Sequence, residues 1–309
     1  MNRLQEIIPR YLEFCRYQKC LDEKTLKAYR IDLRQFTEWV NAEKDVAVSE
    51  ISKDILENYV AILHREFKPK TVKRKIASLK ALFHYLKYEE ILTVNPFDRM
   101  RVKFREPVIL PKTIPLFTVE TILTKMYQDY TLAETVYRKQ TVLREIAVIE
   151  LLFATGMRIS ELCALKPADV DLQDRTILIY GKGAKERRIQ IGSEAVLEIL
   201  KTYCNEYREV MQKGEHFLVN QSGMPVSDQA IRRMINRYAK RAEVELHITP
   251  HMFRHTFATS LMEADVDIRY IQEMLGHSSI HITEIYTHVT MAKQRDILVK
   301  KHPRSRFRI

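Results

Sequence analysis

Six side chains in the second half of the sequence share one chemical theme. Arg158 follows a glycine in Ala154-Thr-Gly-Met-Arg-Ile-Ser-Glu161, and Lys182 lies between two glycines. Pro250-His251-Met-Phe-Arg254-His255 opens a helical pattern, His277 closes Leu275-Gly-His, and Tyr286 follows nine residues later. His251 and Arg254 are three apart, so a helix presents both on one face. Two guanidiniums, two imidazoles, an ammonium and a phenol form a kit for attack on a phosphodiester. Guanidinium forks match non-bridging phosphate oxygens bidentately and stabilise the charge of the transition state. An imidazole can take the phenol proton or hold a phosphate oxygen. An ammonium near the leaving 5′ oxygen can protonate it, and a phenol can act as covalent nucleophile. The kit has no carboxylate cluster, so neither a metal nor any other cofactor is expected.

Each member has a blander reading. Tyrosines of amphipathic helices mostly pack in cores. His251 and His255 are four apart and could chelate a metal, but neither a glutamate base nor a third ligand is placed nearby. His255, His281 and His288 fit packing roles, and Glu161 fits a partner for Arg158 or for backbone groups. Other chemistries lose support by absence. Gly181-Lys182 is followed by Gly183, which is not a Walker loop, and no Gly-x-Gly-x-x-Gly, Gly-x-Ser-x-Gly or His-Glu-x-x-His occurs.

Positioning six such groups requires elements, and the sequence punctuates them. All seven glycines fall between Gly156 and Gly276, while four of the ten prolines (Pro96, Pro107, Pro111, Pro115) crowd into one span. Residues 96–116 are therefore expected to be an extended linker, with one domain over 1–95 and another over 117–309. The first domain reads as all helix. In Lys24–Val40 the apolar residues Leu26, Tyr29, Leu33, Phe36 and Val40 recur at three- and four-residue steps, and residues 70–88 repeat the scheme with Val72, Ile76, Leu79, Phe83 and Leu86. The second domain mixes types. An apolar helix over Val142–Ala154 ends at Thr155-Gly156, and a short turn over Ser160–Leu165 stops before Pro167. Strands over Thr176–Tyr180 and Arg188–Ile191 flank a glycine turn. Helices are expected over Ser193–Gln212, Ser227–Ala242, Pro250–Glu263, Asp267–Leu275 and about Thr290–Lys300. The fold class is mainly α with a small antiparallel sheet.

Charge points to the partner. The 309-residue chain carries 51 Lys and Arg against 40 Asp and Glu, a net of +11. The balance is +4 over residues 1–100 and +7 over 101–309, so both halves attract a polyanion. Between Arg65 and Lys80 lie seven basic residues and one acidic one. That run is either a solvated face or a nucleic-acid surface, and the lack of a compensating Glu at four-residue spacing favours the latter. Candidate DNA contacts are Lys27, Arg30 and Arg34 on the first helix and Lys70, Lys73, Arg74 and Lys80 on the second, both candidates for major-groove reading. A membrane partner is disfavoured, because the most apolar stretch, Ile146 to Ala154, is short and interrupted by Glu150. The opening residues lack the apolar run of a signal peptide. Four cysteines without Cys-x-x-Cys spacing read as reduced thiols, and the expected location is the cytoplasm.

Four segments together resemble the tyrosine recombinase (phage integrase) family, in layout the Xer-type recombinases. They are Ala154-Thr-Gly-Met-Arg158-Ile-Ser-Glu-Leu, Gly181-Lys182-Gly-Ala-Lys-Glu-Arg187, His251-Met-Phe-Arg254-His-Thr-Phe-Ala-Thr, and Leu275-Gly-His277-Ser-Ser-Ile with Tyr286-Thr-His. The resemblance spans the chain. It implies a SAM-like helical core-binding domain, a linker and a catalytic domain, closing as a C-shaped clamp on duplex DNA. It makes Arg158 and Arg254 the phosphate-clamping arginines and Lys182 the general acid of a β-hairpin. His251 and His277 become accessory histidines and Tyr286 the nucleophile. It further implies a 3′-phosphotyrosyl intermediate, strand exchange through a Holliday junction by four protomers, and exchange of a C-terminal helix between copies. The alternative for that helix is packing on its own domain. Thr118 to Leu143 is longer than in the Xer proteins, and no N-terminal arm-binding domain is expected. The rival readings are a type IB topoisomerase, which religates the same strand, and a non-catalytic DNA-binding regulator of the same fold.

Overall fold

The computed structural model describes residues 3–42, 45–100, 112–181, 186–212 and 214–276. The chain divides into two units, Met1–Val108 and Ile109–Ile309. Lys182, His277, Tyr286, His281, His288 and the expected helix over 290–300 lie outside the described residues, as does the middle of the expected linker, 101–111.

Among the described residues the N-terminal unit has four α-helices, α1 (Leu4–Tyr17), α2 (Glu23–Val40), α3 (Lys53–Glu66) and α4 (Pro69–Tyr88). Their starts follow local chemistry. The Asp22 carboxylate accepts from the Thr25 N–H at 2.8 Å, and Ser52 does the same for Ile55. Pro69 occupies the first turn of α4, where its missing N–H costs nothing. Leu26, Leu33 and Phe36 of α2 meet Val72, Ile76, Leu79, Phe83 and Leu86 of α4 in one core, all essentially inaccessible to water. Phe36 stands edge-on to Tyr59 with ring centroids 5.0 Å apart.

The linker expectation needs correcting at both ends. Pro96–Arg99 forms a turn of 3-10 helix whose Asn95 side chain caps the Phe97 N–H at 2.9 Å. Phe97 and Met100 are buried in the N-terminal core, with Phe97 5.4 Å from the Phe83 ring. Burial of two large apolar side chains outweighs the proline signal there. At the other end, Ile114 is buried and its N–H donates to Thr256 Oγ1 at 2.8 Å, and helix begins at Leu116.

In the second unit, α5 (Leu116–Thr131) and α6 (Val136–Thr155) pack on each other, and α6 is the central strut. Thr135 caps α6 by accepting from the Arg138 N–H at 3.2 Å, so this helix starts six residues before the apolar periodicity does. The long stretch from Thr118 is thus α5, a short turn and the first turns of α6. A short helix α7 (Ile159–Ala164) follows, then a three-stranded antiparallel sheet of β1 (Val170–Asp171), β2 (Thr176–Tyr180) and β3 (Glu186–Gln190) in that order. Ile177 pairs with Ile189 and Ile179 with Arg187. The two-residue β1 was not expected, being too short to show alternation. The single helix expected over 193–212 is two, α8 (Glu194–Glu206) and α9 (Arg208–Gln212), parted at Tyr207, whose backbone (φ −105°, ψ 7°) leaves the helical region while its buried ring lies against Tyr203 at 4.6 Å. The unit continues with α10 (Asp228–Arg241), α11 (Pro250–Glu263) and α12 (Ile268–Leu275). Among the described residues no helix is long and apolar enough to cross a membrane.

Candidate active site

The site grows from the turn that ends α6. Gly156 closes that helix with φ +59°, and a Cβ there would lie 2.6 Å from Phe257 Cδ1, so only glycine fits. Two residues on, Arg158 begins α7. Its backbone N–H and its Nη1 both donate to the carboxylate of Glu161, at 2.8 and 2.7 Å. The same carboxylate receives Nη1 and Nη2 of Arg187 on β3, at 3.2 and 2.7 Å. Burial by itself would raise the pKa of Glu161. The Arg187 hydrogen bonds, the Arg158 N–H, the Arg187 charge and the Arg158 side-chain hydrogen bond outweigh it and hold the carboxyl below its ordinary value.

Arg254 is 4% exposed, and its guanidinium joins two helix ends. Nη1 donates to the Gly156 carbonyl at 2.9 Å and Nη2 to the Leu275 carbonyl at 2.7 Å. These are carbonyls that a helix leaves without partners at its C-terminus. α11 places Arg254 there because Pro250 pre-sets its first turn and the buried Met252 and Phe253 fix the helix from its other sides.

His251, one turn before Arg254, lies in the field of three guanidiniums. Its pKa is lowered, first by burial and then by Arg232, Arg254 and Arg158, with Asp228 opposing. His255 is pushed down to about 4 by burial, by His251 and by Arg254. Both imidazoles are therefore neutral at pH 7, and a neutral imidazole can accept a proton. Such a cationic pocket with a neutral base is suited to binding an anion and taking a proton from a hydroxyl that attacks it.

Of the six expected site residues, the structure brings Arg158, His251 and Arg254 together; Lys182, His277 and Tyr286 lie outside the described residues. Glu161 pairs with Arg158 through both side chain and backbone N–H, as expected from its spacing. Two others were not foreseen: Arg187, which shares that carboxylate, and Arg232, which bears on His251 while its Nε donates to Asp228 at 2.5 Å. Their signal was weak, since a charged residue on a strand or helix usually faces solvent. Among the described residues no group of three or more His, Cys, Asp or Glu could hold a metal ion, and His251 with His255 finds no third ligand there.

The basic candidates of the N-terminal unit divide. Lys27, Arg30, Arg34, Lys70, Lys73 and Lys80 are exposed on α2 and α4. Arg34 has Glu38 at 3.6 Å, and Lys80 lies 5.9 Å from the Phe97 ring centroid. Arg74 is half exposed and also pairs with Asp32 of α2, a buried carboxylate that takes Lys75 Nζ at 3.3 Å and the Ser78 hydroxyl at 3.2 Å. A buried anion demands cations, so Arg74 has a partner within the helix pair as well.

A mainly helical unit with one small sheet, carrying two arginines and a histidine around a glycine turn, defines a class. Residues 123–293 match the phage integrase family, and residues 8–90 match the phage integrase N-terminal SAM-like domain. The chain is 58% identical over 307 residues to a tyrosine recombinase of Agathobacter rectalis, covering 99% of each. It is 33% identical over 315 residues to tyrosine recombinase XerC of Bacillus subtilis, again covering 99% of each. The chain belongs to the phage integrase family of tyrosine recombinases. In fold it is similar to XerH site-specific recombinase in a post-cleavage complex with palindromic difH substrate, with TM-score 0.75 and 22% identity over 95% of this chain and 83% of that one. A lambda integrase dimer bound to a core site shares the fold at TM-score 0.67 and 20% identity, over 91% of this chain and 94% of that one.

Proposed function

We propose that this enzyme is a site-specific DNA recombinase that cuts and rejoins duplex DNA through a 3′-phosphotyrosyl intermediate. The observation that carries the reading is the Gly156 turn. It leads directly to Arg158 and is held by Arg254, so two guanidiniums are tied to one piece of backbone, with His251 in their field. Arg158 and Arg254 clamp the non-bridging oxygens of the scissile phosphate. Tyr286 attacks phosphorus and the bond to the 5′ oxygen breaks, with Lys182 giving that oxygen its proton. His251 takes the phenol proton or holds a phosphate oxygen, and His277 assists at the phosphate. The ester conserves the bond energy, so no ATP is used, and a 5′ hydroxyl of the partner strand reverses the step.

In this reading residues 1–95 grip the DNA and 117–309 do the chemistry. Four protomers act on two sites in the cytoplasm, exchanging strands through a Holliday junction and swapping C-terminal segments near 292–299. Named relatives that are Xer recombinases support the assignment, as does the net charge of +11. The test is a nicked suicide duplex carrying a recombination site. The wild type should form a covalent protein–DNA adduct in EDTA, while Tyr286→Phe binds the duplex and forms none. An adduct from Tyr286→Phe, or strict metal dependence, overturns the chemistry. Relaxation of supercoils with no recombinant product overturns the strand exchange.

A further inference from the structure

We propose that Arg187 is a positioning residue for strand cleavage, fastening strand β3, the Arg158 turn and the end of α12 into one geometry. The inference rests on the recombinase reading and goes beyond it, because Arg187 is not among the six residues to which that reading gives a role.

The placement of Arg187 is unusual for an arginine. Along β3 the inward positions are Arg187 and Ile189, and the Arg187 side chain is 7% exposed. A guanidinium in a core-facing slot needs its donors satisfied. Here Nη1 and Nη2 bind Glu161, and Nε donates to the Met274 carbonyl at 2.8 Å. Three donors thus reach two other elements. A surface ion pair would contribute little, but the Glu161 side chain is only 5% exposed.

Two consequences follow from the contacts. Glu161 sits against Arg158, and alone it would cancel the charge that Arg158 presents to a phosphate. With Arg187 on the same carboxylate, the trio keeps a net charge of one plus. Arg187 and Arg254 also take consecutive carbonyls, Met274 and Leu275, at the end of α12. The chain then turns at Gly276, φ +64°, where a Cβ would lie 3.0 Å from Arg187 Cδ, and His277 is the next residue. In sequence, Lys182 precedes Arg187 by five residues. One side chain is therefore bonded beside Arg158 and borders, in the chain, on two further site residues. A lysine cannot reproduce this bridging, since it lacks the planar fork.

The experiment measures single-turnover adduct formation on the nicked duplex, duplex affinity, and amide hydrogen exchange of the free full-length protein. Arg187→Met removes one positive charge beside Arg158, so it should weaken duplex binding only a few-fold, while cleavage falls about 100-fold, as a small misplacement of reacting groups does. Arg187→Lys should recover part of the rate. In a double-mutant cycle with Glu161→Gln the losses should not add. Exchange should quicken about tenfold in peptides covering 156–162 and 270–276 and stay unchanged in 196–203. Wild-type cleavage by folded Arg187→Met or Arg187→Lys overturns the proposal. So does a loss of affinity matching the loss of rate with a shallower salt slope, which would make Arg187 a direct phosphate ligand. If Arg187→Met does not fold, Arg187→Lys decides by the same readings. If the wild type forms no adduct on any duplex, the recombinase reading falls, while unchanged exchange at both peptides would separately sink the role of Arg187.

Discussion

Asp32 is the carboxylate whose loss should be felt most in the N-terminal unit. It is 2% exposed and gathers Arg74, Lys75 and Ser78 from α4, while Lys75 is 3% exposed and also bonds Gln35. Asp32→Ala leaves the Lys75 ammonium buried with a neutral amide for company. Removing one partner of a buried pair costs about 3–5 kcal/mol, because the other charge stays desolvated. Arg74, half exposed, adds little to that sum. A unit of this size holds about 5–15 kcal/mol in all, so its urea midpoint should fall by about 2 M. Trp39 is the single tryptophan of the chain and packs on Tyr59 at 4.9 Å and Phe36 at 6.3 Å, so its fluorescence reports this unit alone. The double variant Asp32→Leu with Lys75→Met should regain most of the loss, since no charge then remains buried. A midpoint for Asp32→Ala within about 0.5 kcal/mol of wild type, or a double variant as weak as the single one, would refute the reasoning.

Acid should weaken the second unit through His255. Its folded pKa of about 4 lies below the 6.5 of an unburied imidazole, so the unfolded chain binds the proton first. Stability is then full above pH 6.5 and declines as pH falls toward 4, with His251 contributing in the same direction. Urea midpoints taken across that range should flatten in His255→Gln; an unchanged slope would count against it. Gly156→Ala forces a side chain into a left-handed turn and against Phe257, costing about 2 kcal/mol or more. It also moves the carbonyl that Arg254 holds, so adduct formation should fall further than stability does, and equal losses would show that the turn is merely structural.

Much of the architecture could be read in advance. The apolar steps of Leu26, Leu33 and Phe36, and of Val72, Ile76, Leu79, Phe83 and Leu86, are inward-facing in the structure because a helix turns every 3.6 residues whatever it packs against. Pro250 and the Gly156 turn were equally legible, since both act through the local backbone. The same holds for the family, whose motifs are short runs of chain.

Pairings between distant residues were decided only by folding. Arg74 has the sequence signature of a solvent-facing cation, yet it pairs with Asp32, 42 residues earlier. Phe97 and Met100 sit among prolines but belong to the N-terminal core, because buried apolar area overrules a local preference for extended chain. Glu161 and Arg187 are 26 residues apart, and their union with Met274 needs the sheet, α7 and α12 to meet. Periodicity tells which face of an element is apolar, while the partner of a buried charge depends on which elements tertiary packing brings within about 3 Å of it.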